Sequence, residues 1–343
     1  MDYQVRLFET GQSFTVDSGE TVLDAALRAN ITLPHDCRFG GCGACRVRLL
    51  EGTVSYEDPP FGLTPEEAAA GYALACQALP GSDLVIAPEA AGDVLPEPLR
   101  HTARVCAISR LSDGVTHLRL EVDSQDALQY LPGQYMNVHL DDGSTRSFSM
   151  ASKPDGRLLD FHVRRISEGK FTDSILPGLT VGDTMRIEAP LGMFRYRPRD
   201  YRPMVMVATG TGVAPIRAIL QALMEAGDAP PVWLYWGVRS EEDLYLAQEV
   251  AQWAGQLDDF RFVPVLSRPG PGWQGRSGHV QAAIAEDFDD LSEHAFYICG
   301  SPQMVREAKS VLMGLGASPD HIYADSFDFA HQVHPGLPEE VAG

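Results

Sequence analysis

The sequence has no apolar run long enough to cross a bilayer or to form the core of a signal peptide, and it opens on charged and polar residues, MDYQVRLFETGQSFTVDSGE. A cytoplasmic chain with no membrane partner is the expectation. Basic residues are also scarce: 27 Lys and Arg stand against 47 Asp and Glu, a net charge of −20, which argues against the electrostatic footprint of a nucleic-acid binder. There is no internal repeat and no low-complexity tract. No Ser/His/Asp triad, paired-carboxylate or HExxH constellation occurs in the motifs below, so chemistry built on a general base is not indicated. Cysteine is sparse at 6 in 343 residues, yet three crowd with three glycines into CRFGGCGAC, Cys37 to Cys45. In a reducing compartment such a cluster points to metal binding or redox chemistry rather than to disulfides.

A 343-residue chain with 44% hydrophobic residues can bury a core in each of two or three domains. Residues 1–93 hold 14 Asp and Glu against 5 Lys and Arg, a field that would steer this segment toward a basic protein surface. It runs out in AAGDVLPEPLR, whose Pro, Gly and small residues predict a linker over 94–102. Over 103–200, alternating runs such as HLRLEV, YMNVHL, TRSFSM, LDFHVRR and TMRIEAP, separated by turn residues, predict an antiparallel barrel or sandwich. Over 201–330 the period changes. The apolar run MVMVA precedes Ile216, Ile219, Leu220 and Leu223 at helical spacing, and VWLYWGV, FRFVPVL and AFYIC alternate with further helical stretches, which predicts a parallel sheet covered by helices. Residues 331–343 are expected to be a disordered tail.

The cysteines Cys37, Cys42 and Cys45 have the spacing C-x4-C-x2-C, and Cys76 follows after 30 further residues. This opening matches the spacing of plant-type [2Fe-2S] ligands, in which one tight loop supplies three thiolates. Glycines at 40, 41 and 43 would let that loop curl and aim backbone N–H groups at sulfur. A four-cysteine zinc site is the alternative, although such sites usually pair two short-spaced units. Cys106 lies outside the pattern and reads as a small core residue.

Two further stretches carry chemistry. In RSFS, Arg146 can pair with a pyrophosphate, Phe148 lies on the same side of a strand, and Ser149 can reach a polar flavin edge. In MVMVATGTGVAPIRAIL, a buried strand enters Gly210, Thr211 and Gly212, and Pro215 follows near a helix start, where its missing N–H does no harm. That is a cradle for a pyrophosphate.

With CRFGGCGAC and ALACQA around Cys76, these motifs in this order resemble the flavin- and iron-sulfur-containing reductase components of bacterial aromatic-ring dioxygenases, the benzoate and terephthalate type. The resemblance covers residues 1–330 and implies a multidomain α/β and β fold: a β-grasp-like [2Fe-2S] ferredoxin domain, an antiparallel β-barrel FAD domain and a parallel-sheet, Rossmann-like NAD(P)H domain. It implies a cluster on Cys37, Cys42, Cys45 and Cys76. It implies FAD on Arg146, Ser147, Phe148 and Ser149, with Phe148 where the family usually has Tyr. His162, Val163 and Arg164 would line the flavin ring, and Gly169, Lys170, Phe171 and Thr172 would meet the FAD phosphates. Gly210, Thr211, Gly212 and Pro215 would hold the nucleotide. Cys299, Gly300 and Ser301 resemble the family's C-G-x-P, with the cysteine beside the nicotinamide, and Phe327, or else Phe329, would cover the flavin. Cys299, Ser149 and Phe327 are thus the candidate catalytic residues. Arg239 could pair with a 2′-phosphate, but Glu241 and Glu242 after it would repel one, so NADH is expected over NADPH.

The implied partner is a terminal oxygenase, reached by a monomeric reductase. Rival readings are a reductase for a multicomponent monooxygenase or a sugar-dehydration system, or a redox carrier without turnover. Anaerobic reconstitution with iron and sulfide should yield a coloured protein with flavin and cluster absorption and a low-temperature spin resonance on reduction. A purified chain that keeps zinc and takes up no acid-labile sulfide would contradict this.

Overall fold

The computed structural model describes residues 2–88 and 95–327, which fall into three main sheets. In the first, Tyr3–Leu7 turns Val5 and Leu7 inward and pairs antiparallel with Ser13–Val16, which buries Phe14 and Val16. Leu84–Pro88 lies parallel on its other side, and Arg46–Glu51 and Tyr72–Leu74 extend the sheet antiparallel. The helix Val22–Arg28 covers it. Thr21 caps that helix by accepting from the Asp24 amide at 3.2 Å, and Val22, Leu23, Ala25 and Ala26 face the core. A mixed sheet clasping one helix is the β-grasp architecture.

The second sheet runs Thr145–Ser149, Tyr135–His139, Thr184–Leu191, Leu99–Ser112, Val115–Val122 and Leu158–Arg164, each strand antiparallel to the next. A bridge between Met150 and Phe161 joins its two outer edges and closes it into a barrel. Met136, Val138, Leu118 and Phe161 fill the interior. The first barrel strand begins at Leu99, opposite Ala189, inside the stretch expected as linker. Pro96 and Pro98 hide this start, because the alternation becomes legible only after them. Cys106 is half-buried rather than in the core, and its thiol donates to the Arg119 carbonyl at 3.4 Å.

The third sheet is wholly parallel in the order Arg276–Ser277, Phe260–Leu266, Val232–Val238, Met204–Thr209, Ala295–Gly300 and Ile322–Ser326. The chain starts in the middle with Met204–Thr209, builds outward on one side, then returns to build the other. The strand order therefore reverses between Met204–Thr209 and Ala295–Gly300, and in open α/β sheets the crevice beyond the carboxyl ends at that point receives ligands. The helix Val213–Ala226 packs Ile216, Ile219, Leu220 and Leu223 on the sheet, as their spacing predicts.

The ferredoxin-like domain is fastened to the nucleotide domain by a buried charge cluster. Glu67, with no exposed surface, accepts from Arg46 and, at 3.0 Å, from Lys309 of the helix Pro302–Gly314. Arg46 lies 4.9 Å over the Tyr72 ring and donates to the carbonyls of Pro319 at 2.8 Å and Ile322 at 3.1 Å. The Tyr72 hydroxyl in turn donates to Asp320. Glu67 also completes a capping box with Thr64, so one side chain both starts the helix Pro65–Ala69 and holds two domains together.

Burial pushes the Glu67 carboxyl up, but Lys309 and then Arg46 pull harder and leave it below its ordinary value of 4.5. A carboxylate with a lowered folded pKa stabilises above the unfolded value and loses that contribution as pH falls through the folded one. Glu67→Ala should cost about 3–5 kcal/mol at neutral pH, because two cations are left buried without their carboxylate. Glu67→Gln keeps the cap and should cost less. In chemical denaturation, the parent's advantage over Glu67→Gln should shrink as pH drops below 4.5.

Candidate electron-transfer site

The loop from Cys37 to Cys45 follows its glycines. Gly40 and Gly43 have φ of 79° and 80°, and a Cβ on Gly40 would press on Pro60 and Gln77 at 3.0 Å. Arg38 takes φ 62° without being glycine, a feature invisible in the sequence; the Gln77 amide donates to its carbonyl at 3.2 Å and its guanidinium donates to Asp24 at 2.6 Å. The curled loop turns amides toward sulfur: Cys42 N–H donates to Cys37 Sγ and Ala44 N–H to Cys42 Sγ, both at 3.4 Å, and Phe39 and Gly41 add donors to Cys37 and Gly40 one to Cys76.

The thiols stand as two pairs, Cys37 with Cys42 and Cys45 with Cys76, each within hydrogen-bond reach. The Cys42 thiol and the loop amides draw Cys37 down to about 7 against burial, and Cys76 likewise lowers Cys45. The partners Cys42 and Cys76 are raised, first by those same thiols and then by burial. Among the described residues no set of three His, Cys, Asp or Glu side chains stands ready to chelate a single ion. Two pairs of thiols with amides aimed at sulfur fit two bridged irons, each taking two thiolates.

The RSFS strand, Thr145–Ser149, sits at one edge of the barrel opposite Tyr135–His139. Arg146 is half-exposed, with Nη1 on the Thr145 carbonyl at 2.7 Å, and Phe148 packs 5.0 Å from the Phe171 ring. Ser147 points the other way and donates to Asn137 at 2.7 Å. Ser149 pairs with Tyr135 in the register. Gly169 opens a wide helical turn, Lys170–Ile175, and a Cβ there would meet the Thr172 hydroxyl at 2.5 Å. These groups fit an anionic cofactor lying along the barrel edge.

Other side chains expected near the flavin have protein partners of their own. Lys170 Nζ is salt-bridged to Asp142, and Val163 and Phe171 are core residues of the barrel. The His162 ring faces Tyr245 of the nucleotide domain, with Nδ1 3.2 Å from its hydroxyl, and burial, Arg217 and His117 push its pKa down to about 3. It is a neutral peg between domains. Arg164 reaches over to the glycine turn, 3.4 Å from where a Gly210 Cβ would lie, and burial and the charge of Arg239 lower its pKa against the pull of Asp243.

The nucleotide crevice sits where the strand order reverses. Gly212 abuts Cys299: a Cβ would lie 2.2 Å from the Cys299 carbonyl oxygen. Gly300 abuts Thr209 as closely, a Cβ meeting its hydroxyl at 2.2 Å. Ser301 caps the next helix through the Met304 amide at 3.4 Å, and Pro215 is buried in the first turn of its own helix. Thr211 is half-exposed between its glycines, and Arg239 is exposed. Trp236, within the strand VWLYWGV, donates from its indole to the Gly210 carbonyl at 2.9 Å and so ties the neighbouring strand to the glycine turn. Cys299 is fully buried, which pushes its thiol well above the ordinary range. Phe327 follows the last strand; its amide donates to the Gly300 carbonyl at 2.8 Å and its ring packs against the nucleotide-domain core. Phe329 and the tail lie outside the described residues.

The three regions meet. Ser326 Oγ donates to the Gly41 carbonyl of the cluster loop at 3.3 Å, and Gly41 approaches so closely that a Cβ on Gly62 would lie 2.5 Å from its oxygen. A cavity of about 40 Å³ at the junction is lined by Cys42, Gly43, Met193, Arg197, Lys309 and Tyr323, drawn from all three parts of the chain.

Three family models match in succession: a 2Fe-2S iron-sulfur cluster binding domain over residues 5–81, an oxidoreductase FAD-binding domain over 102–196 and an oxidoreductase NAD-binding domain over 206–310. The chain is 33% identical to the terephthalate 1,2-dioxygenase reductase component 1 of Comamonas sp, over 95% of this chain and 98% of that one. It is equally 33% identical to the CDP-6-deoxy-L-threo-D-glycero-4-hexulose-3-dehydrase reductase of Yersinia pestis, covering 95% and 99%. Among solved structures, the Amycolatopsis cytochrome P450 reductase GcoB superposes with a TM-score of 0.71 at 32% identity, over 95% of this chain and 98% of that one. A cluster loop, a flavin barrel and a nucleotide sheet that match these models in order, across relatives of the same length, settle the family: the chain belongs to the NAD(P)H-dependent flavin and iron-sulfur reductase components represented by terephthalate 1,2-dioxygenase reductase.

Proposed function

We propose that the chain takes electrons from NADH and delivers them singly to the iron-sulfur centre of a terminal aromatic-ring dioxygenase. The observation that carries this is the convergence at the cavity beside Cys42, where the cluster loop, the barrel exit at Met193 and Arg197, and the helix and last strand of the nucleotide domain at Lys309 and Ile322 line one space. The bound cofactors supply the redox chemistry, FAD accepting a hydride and the [2Fe-2S] cluster storing one electron at a time. The protein's own work is placement.

In this reading Cys37, Cys42, Cys45 and Cys76 hold the cluster, with loop amides tempering the charge on sulfur. Arg146 and the backbone amides of the turn from Gly169 to Thr172 receive the FAD phosphates, the Thr172 hydroxyl bracing that turn on Ile166, while Phe148 packs beside the flavin and Ser149 offers its hydroxyl to the ring edge. Gly210, Thr211 and Gly212 cradle the nucleotide pyrophosphate, and Arg164 joins Arg239 as a second cation on that crevice. Cys299, kept protonated by its dry surroundings, packs against the nicotinamide without competing as a nucleophile. Phe327, next to Gly300, is placed to cover the ring until nicotinamide arrives. The chain acts as a cytoplasmic monomer without nucleic acid, in keeping with its charge of −20. Among the described residues no helix is long and apolar enough to cross a membrane.

Reconstituted turnover with candidate acceptors tests the reading. An aromatic dioxygenase should be reduced at a higher kcat/KM than a P450 or a sugar dehydrase, and the reverse order would overturn it. Exposed Glu241 and Glu242 after Arg239 should give NADH about a tenfold advantage in kcat/KM over NADPH, equivalent to about 1.4 kcal/mol. Gly212→Ala should lower kcat/KM for the nucleotide by about a hundredfold, since its methyl displaces the turn by about 1 Å, with flavin and cluster spectra unchanged.

A further inference from the structure

The strand Tyr135–His139 turns Met136 and Val138 into the barrel, so Tyr135 points out of it. In the register Tyr135 stands directly opposite Ser149. Its ring lies flat against Gly192, where a Cβ would fall 2.7 and 2.8 Å from two ring carbons, so only glycine leaves room for it. From this seat the hydroxyl donates to the carboxylate of Asp36, the residue immediately before Cys37. The domain ties through Arg46, Glu67, Tyr72 and Gly41 all run to the nucleotide domain. Tyr135 to Asp36 runs instead from the cluster loop to the barrel, at the residue paired with Ser149.

We propose that Tyr135 is a positioning residue for electron transfer from flavin to cluster: wedged against Gly192, its hydroxyl fixes Asp36, and with it the Cys37 loop, at a set separation from the strand that carries Ser149. The step is a one-electron oxidation of the reduced flavin and a one-electron reduction of the cluster. One electron leaves the flavin for each one the cluster gains, any proton released goes to water, and no bond between heavy atoms forms or breaks. Electronic overlap between two centres decays steeply with their separation, so a loop free to drift spends less time at a competent distance. Hydride transfer from the nucleotide does not depend on that loop. The inference rests on reading Ser149 as a neighbour of the flavin, and it needs no particular acceptor.

The test is anaerobic mixing of the holoprotein with NADH, following flavin and cluster bleaching separately, with no oxygenase present. Failure of the dioxygenase assignment would therefore leave this result untouched. Tyr135→Phe should leave flavin reduction unchanged and slow cluster reduction by about tenfold, the worth of one hydrogen bond. Asp36→Ala should match it. Asp36→Asn, whose amide oxygen accepts the same hydrogen bond, should run at the parent rate. Amide hydrogen exchange over residues 37–45 should rise in Tyr135→Phe and Asp36→Ala and stay at the parent level in Asp36→Asn. The proposal is overturned if Tyr135→Phe reduces its cluster at the parent rate, if it slows flavin and cluster reduction equally, or if Asp36→Asn is as slow as Asp36→Ala. Should Tyr135→Phe lose its flavin on purification, the two Asp36 variants, which lie outside the barrel, decide the matter.

Discussion

A carboxylate with no exposed surface, clamped between an arginine of one domain and a lysine of another, is the interaction on which the working geometry depends. Three redox partners held by three separate cores can exchange electrons only if those cores keep their spacing. Apolar contact alone would let them slide, since the hydrophobic effect has no direction. Glu67 gives the contact a direction. Its two oxygens are shared among Arg46, Lys309 and the Thr64 amide, and any displacement of the nucleotide domain strands a cation in a dry interface.

Close backbone approach is the second constraint, and it explains where the glycines fall. At the nucleotide crevice two strand ends meet with no space for a Cβ on Gly212 or Gly300, and beside the cluster Gly62 makes way for the Gly41 carbonyl. Glycine serves here to bring neighbouring segments within hydrogen-bonding range of a ligand rather than to provide mobility. Burial then sets the protonation states: Cys299 and His162 are both held neutral, one against Gly212 at the turn after the central strand and the other as a peg against Tyr245.

The parts legible in the sequence are those whose signal is local. Three cysteines at a fixed spacing, a glycine turn between a buried strand and a helix, and Ile216, Ile219, Leu220 and Leu223 at helical intervals all follow from neighbours a few residues away. What the sequence hid is long-range. Lys309 lies in the helix Pro302–Gly314, and it is a partner 242 residues distant that buries it. Tyr135 and Trp236 read as ordinary strand aromatics, yet each spends its polar tip on a different segment. Lys170 and His162 sit on the turn and strand that match the family motif, and their side chains pair with Asp142 and Tyr245, partners far away in sequence. A motif names a position, and the fold decides which neighbour a side chain meets.

The charge clamp is also unequally shared. Arg46 and Glu67 belong to the same domain and would remain paired in a ferredoxin fragment cut free of the rest, whereas Lys309 has no carboxylate of its own domain in the clamp. Separation would return the Lys309 ammonium to water while the ferredoxin half kept its ion pair. Arg46 would lose its two carbonyl acceptors at Pro319 and Ile322 yet keep its carboxylate, so the clamp's ion pair would outlive the interface it closes.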